Sequence, residues 1–260
     1  MGAAPAVGDP LRFSTIAHGQ RQILGPITPE RSDALVERCR LHVGDHVLEV
    51  GCGKGDLLVR LLARWTSATG EGFDRNPWFL AAARAAAQAA RNDVVRRVSF
   101  IETDLPAALI ADRGVALTIG MGATGVYDGD QAATVRGLAA ATRPGGVVVF
   151  GDGLWVREPL LSGLAAFGMA HDELAEGVDG FAALGLEAGL EVIDIEVVSE
   201  AEWDEYEASY AGAVRAWATV HPDDPDRDAF LARSAMMADS YALWRRDAFG
   251  FAIGRFRVPG

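Results

Sequence analysis

Short apolar runs alternate with stretches of helical periodicity from residue 46 onward. Runs near 46–50, 70–74, 98–102, 115–120 and 147–151 predict strands covered on both faces. Helices are predicted between them near 55–65, 77–91 and 128–142, the second opening on Asn76-Pro77, which has the form of an N-cap followed by a first-turn proline. The alanine-rich stretch Ala81–Ala90 stays within that helix, because Arg84, Gln88 and Arg91 punctuate it at helical spacing. Leu190–Val198 and Phe249–Val258 add a sixth and a seventh strand. This alternation predicts a parallel α/β sheet whose ligands bind beyond the C-terminal ends of the strands.

The first strand, Val47-Leu48-Glu49-Val50, breaks into glycines at 51, 53 and 55. A dinucleotide fingerprint, G-x-G-x-x-G, would place its third glycine at position 56, which is Asp56. With Glu49 two residues before the first glycine, the segment resembles motif I of the class I S-adenosylmethionine (SAM)-dependent methyltransferases. Phe73-Asp74 closes the second strand, where an acid can accept hydrogen bonds from both ribose hydroxyls. The third strand also leads to an acid, Asp104, and Arg143-Pro144-Gly145-Gly146 before the fifth strand is a further feature of that family.

The resemblance implies a Rossmann-like, seven-stranded, mostly parallel sheet with helices on both faces and an antiparallel last strand. It also implies SAM as cofactor and S-adenosylhomocysteine (SAH) as product. It sets Gly51 and Gly53 against the methionine part, Asp74 on the ribose and Asp104 on the adenine, with Cys52, Arg75 and Leu105 beside them. Glu49 supports either the glycine turn or the cofactor amino group. Strand four departs from the family by ending in Gly120-Met121 rather than in an acidic or polar residue, which leaves backbone groups at Gly120 to hold the methionine end. The resemblance spans residues 42–152, and 180–260 more loosely.

Additions to this core are expected to form a helical cap that decides the substrate. They are residues 1–40, ahead of a methyltransferase domain over 41–260, and insertions at about 153–179 and 199–248. Trp203, Tyr206, Tyr210, Val214 and Trp217 recur at intervals of three and four along one helix face. That stripe has two readings, packing of the cap onto the domain or contact of Tyr206 and Tyr210 with an apolar substrate. Glu202–Glu207 together with Phe249-Gly250-Phe251-Ala252 resembles the tail of a bacterial subgroup of the family.

Methyl transfer needs a nucleophile aligned behind the methyl and, for some acceptors, a base. Asp152 beyond strand five, His171 in the following loop and Tyr206 are the catalytic candidates, and His18, Arg21, Trp155 and Tyr210 the substrate-binding ones. No His/Cys/Asp/Glu grouping has metal-ligand spacing, so no metal is expected.

Composition narrows the partner. A net charge of -12 argues against nucleic acid, since Lys54 is the only lysine and the arginines are scattered. Two cysteines make no disulfide framework, and neither a secretory signal nor a membrane-spanning run is indicated, which fits the cytoplasm. The reading is a cytoplasmic bacterial methyltransferase, monomer or homodimer, acting on an N, O or C nucleophile of a small molecule in secondary or specialised metabolism. Its alternatives are a protein or tRNA methyltransferase, a non-catalytic SAM-binding module and an NAD-dependent oxidoreductase.

Overall fold

In a computed structural model, which describes residues 5–104 and 112–260, the apolar runs form the centre of one sheet. Strands β1 (His46–Val50), β2 (Thr69–Asp74), β3 (Val98–Glu102), β4 (Val115–Met121) and β5 (Thr142–Trp155) are parallel. A two-residue strand, β6 (Ala175–Glu176), precedes β7 (Glu191–Val197) and β8 (Phe249–Arg257). The order is β3-β2-β1-β4-β5-β8-β7, with β8 antiparallel to both neighbours and β6 beside the end of β5.

Among the described residues the sheet therefore has eight strands rather than the expected seven. Strand β5 outruns β4, whose last pair is Met121 with Gly151, and the free edge of Leu154–Trp155 is taken by β6. Gln131 stitches this corner, donating to the Gly153 carbonyl and accepting from the Ala175 amide.

Successive strand residues face opposite layers. Val47 packs in a core with Leu58, Leu61, Leu62 and Leu80, while Leu48 belongs to a second core with Val135, Leu138 and Phe181. The first layer comprises α2 (Pro29–Arg38), α3 (Asp56–Arg64) and α4 (Pro77–Ala89), the second α5 (Gln131–Ala141) and α7 (Gly177–Glu187). Helix α4 starts where the sequence indicates, with the Asn76 side chain accepting from the amides of Trp78 and Phe79.

The remaining helices pack largely in two smaller clusters outside these layers. They are α1 (Arg12–Ala17), α6 (Leu161–Phe167), and α8 (Glu200–Val220) with α9 (Arg227–Ser240), after which a π turn, Tyr241–Arg245, and a single turn α10 (Arg246–Ala248) lead into β8. Ser199 and Glu202 form a capping box at the start of α8, and Glu202 also receives Arg31 of α2 at 2.7 Å. Phe13 and Ala17 of α1 are buried with Val214 of α8, and the buried Arg12 pairs with Asp224 and Asp226 in the α8–α9 turn. Thus α1 and the α8–α9 hairpin pack as one unit, although some 200 residues separate them in sequence.

Candidate active site

The turn after β1 requires its glycines. Gly51 and Gly53 have φ of 65° and 53°, in the left-handed region that side chains disfavour. A Cβ on Gly51 would come within 2.9 Å of Ala123, and one on Gly53 within 2.5 Å of Leu24. The Gly53 amide donates to Asp74 Oδ2 and the Asn76 amide to Oδ1, both at 2.8 Å. One carboxylate thereby ties the glycine turn to the start of α4. Burial raises the pKa of Asp74, and these amides oppose the shift.

Gly51, Gly53, Asp74, Arg75 and Asp104 line one cavity of about 990 Å³, partly open to solvent. Phe79, Met121 and Gly122 add to its wall, and Ser14, His18 and Leu24 of the N-terminal segment complete it. A second cavity, about 640 Å³ and also partly open, adjoins at Leu24, Gly51, Gly53, Met121 and Gly122. It reaches Glu49, Cys52 and Lys54 under residues 22–25. Glu49 is 4% exposed, and its Oε2 has no hydrogen-bond partner among the described residues. Burial, reinforced by Asp56, pushes its pKa up to about 8. Burial also raises the Cys52 thiol, which suits a packing role in the turn rather than a nucleophile.

The N-terminal segment is fastened to this floor. Lys54, 9% exposed, donates through Nζ to the carbonyls of His18, Gly19 and Arg21 at 2.7, 3.3 and 2.6 Å. Gln22 Nε2 donates back to the Lys54 carbonyl at 2.9 Å, and Asn76 Nδ2 to Thr15 Oγ1 at 2.9 Å. His18 Nδ1 faces the Ser14 carbonyl at 2.9 Å and therefore carries the proton, leaving Nε2 to accept from the Tyr206 hydroxyl at 2.9 Å. Burial lowers His18 to about 4, so it is neutral near pH 7.

The other candidates lie apart from these two cavities. Asp152 sits within β5, between Gly151 and Gly153, whose missing Cβ atoms would meet Met121 and Phe249 on the first layer. Strand parity turns Asp152 to the opposite layer, beside Thr124 and Gln131, where burial raises its pKa. Trp155 is buried with Leu164, Trp244 and Ala248, stacks on His171 at 6.0 Å and donates to the His171 carbonyl. The His171 ring stands 3.5 Å from a Glu176 oxygen, outside the cavity lined by Asp74. Tyr210 packs edge-on against Phe13 and His18. Arg21 lies in an outer groove with Arg60 and Glu205, its guanidinium over the Tyr206 ring. A Cβ on Gly120 would point at Leu138 of α5, and Leu105 lies outside the described residues.

Sequence reasoning gave no role to Lys54 or Leu24. The available signal was a single lysine placed inside the glycine turn. Among the described residues no group of three or more His, Cys, Asp or Glu could hold a metal ion, and no helix is long and apolar enough to cross a membrane.

Residues 47–146, which run from β1 into β5, match a family model described as a methyltransferase domain. The chain is 28% identical over 243 residues to the uncharacterized protein YjhP of Escherichia coli strain K12, covering 93% of this chain and 96% of that protein. A SAM-dependent methyltransferase from Geobacter sulfurreducens, solved in complex with SAH, has a TM-score of 0.85 at 26% identity and covers 95% of this chain and 98% of its own. A second, from Thiobacillus denitrificans and also with SAH, has a TM-score of 0.84 at 25% identity over 95% and 98%.

Proposed function

We propose that this chain, a class I SAM-dependent methyltransferase, transfers the methyl group to a nitrogen, oxygen or carbon nucleophile of a small molecule. The residues at the strand ends suit the cofactor. Glycines stand where a Cβ would collide, Glu49 keeps a buried oxygen with no partner among the described residues, and Asp74 lines the cavity. In this reading Asp74 accepts the ribose hydroxyls, Asp104 the adenine amino group and Glu49 the cofactor ammonium. Cys52, Arg75 and the backbone near Gly120 flank it. When bound, SAM supplies a methyl group on a positively charged sulfonium.

The small-molecule reading is carried by the wall that Ser14, His18 and Leu24 give the cavity, on a segment held down by Lys54. An acceptor must fit beneath that segment, which favours a small ligand over a folded macromolecule. Neutral His18 adds no charge to a wall that faces a cation, and its bond to Tyr206 fixes the orientation of both side chains. His18 lines the cavity and is proposed to orient the acceptor, with Tyr206 holding its ring from outside the lining, whereas Asp152 and His171 stand away from the cavity. The net charge of -12 disfavours tRNA. We place the enzyme in the bacterial cytoplasm, in specialised metabolism, as a monomer or homodimer.

The test begins with calorimetric titration of SAM, SAH and NAD into the protein and its Asp74→Ala variant. Binding of the two adenosyl ligands, lost in the variant and absent for NAD, supports the cofactor site. Transfer from methyl-labelled SAM is then followed into small-molecule, tRNA and protein fractions of a bacterial extract. Label appearing only in tRNA or protein would refute the small-molecule acceptor.

A further inference from the structure

The glycine turn has a second job. Its lysine reaches the chain where it leaves α1, at the C-cap residue His18 and the two positions Gly19 and Arg21 just past it. An ammonium has three N–H groups, and Lys54 lies within hydrogen-bond distance of three carbonyls, those of His18, Gly19 and Arg21. All three acceptors are backbone, so the fastening depends on the lysine and on the path of the segment, not on the side chains at 18, 19 and 21. The helix dipole favours a cation at this end, and burial of Lys54 strengthens each contact.

The fastened segment is the one that closes the cavity. His18 belongs to both the lysine's acceptors and the cavity wall, and three residues beyond Arg21, Leu24 rests over Gly53 at the junction of the two cavities. We propose that Lys54 is a positioning residue that straps residues 18–25 over the bound cofactor and sets the rate at which SAH leaves after each turnover. The proposal rests on the SAM-dependent reading of the same site. Opening the segment breaks the Lys54 contacts together with the Gln22 bond, whereas α1, held to the α8–α9 hairpin, and the floor formed by Gly51, Gly53 and Asp74 stay in place.

Lys54→Met keeps the apolar stem and removes the ammonium. Release of tritiated SAH, chased with excess unlabelled SAH, is expected to accelerate by about tenfold or more, the effect of losing charged hydrogen bonds. Amide hydrogen exchange is expected to quicken over residues 18–25 and to remain unchanged in α5. Gln22→Ala, at an exposed position on the same strap, is expected to accelerate release by about threefold, and it carries the test if Lys54→Met does not fold. Release within twofold of wild type overturns the proposal. So does faster exchange without faster release, which would leave Lys54 a fastening of the fold alone. Failure of wild type to retain SAH is a separate result, seen before any variant is made, and overturns the cofactor reading and the strap with it.

Discussion

Replacing Glu49 by Gln should stabilise the protein and weaken its cofactor site. In the folded chain Glu49 holds its proton up to about pH 8, because burial and the nearby Asp56 disfavour the carboxylate. In the unfolded chain it ionises near its ordinary value of 4.5. The folded state therefore binds more protons between those limits, and the stability present below pH 4.5 declines as pH rises toward 8. At pH 7 the cost is the interval from 4.5 to 7 at about 1.4 kcal/mol per unit, or roughly 3 kcal/mol as an upper estimate. Glutamine has nearly the same shape and does not titrate, so urea unfolding should give Glu49→Gln an advantage of about that size at pH 7 and almost none at pH 4.5. SAH affinity should fall in the same variant, since an amide cannot form an ion pair with the ligand ammonium. Calorimetry in buffers of different ionisation enthalpy should show wild type releasing a proton on binding at pH 7, and the variant releasing none. An equal stability difference at pH 4.5 and 8, or a less stable variant at pH 8, would refute the reasoning.

Asp74→Asn should lower SAH affinity at least about tenfold by calorimetry, because the amide loses the charge that accepts the Gly53 and Asn76 amides and the ribose hydroxyls. His18, depressed to about 4, contributes the opposite pH trend to Glu49: the unfolded chain takes up its proton first, so stability is lost as pH falls from 6.5 toward 4. Between pH 4.5 and 6.5 the two trends oppose each other, so His18→Gln should unmask the Glu49 decline, with urea midpoints falling more steeply as pH rises than in wild type, and an unchanged slope would contradict the burial argument. Arg245→Met should cost about 3 kcal/mol in urea unfolding, since it strands the buried Glu207 carboxylate that Arg245 meets at 2.6 Å. A double variant that also carries Glu207→Leu should recover much of the loss.

The centre of the sheet was legible because parallel strands covered on both faces read as apolar runs, and Asn76-Pro77 announces α4 by local chemistry alone. Helix α7 was not legible. It carries Gly180 and Gly185, poor helix formers, and a Cβ on Gly185 would collide with Phe256, so packing overrides propensity there. The site divides in the same way. Gly51, Gly53, Asp74 and Asp104 meet because consecutive strand ends meet, and the order of motifs along the chain already implied that meeting. Asp152 was displaced by strand parity, which an apolar run does not reveal, and Trp155 by a satellite core whose partners lie in α6 and the π turn. The role of Lys54 depends on chain segments more than 30 residues apart meeting in three dimensions.

Because Lys54 is the only lysine in the chain, one buried ε-amine accounts for all of its lysine chemistry. While the N-terminal segment is down that amine is held in three hydrogen bonds and is a poor nucleophile, so the rate at which an acylated peptide containing residue 54 appears reports how often the segment lifts. The chain thus contains a built-in chemical clock, read by mass spectrometry without an engineered label, and a ligand that holds the segment down should slow it.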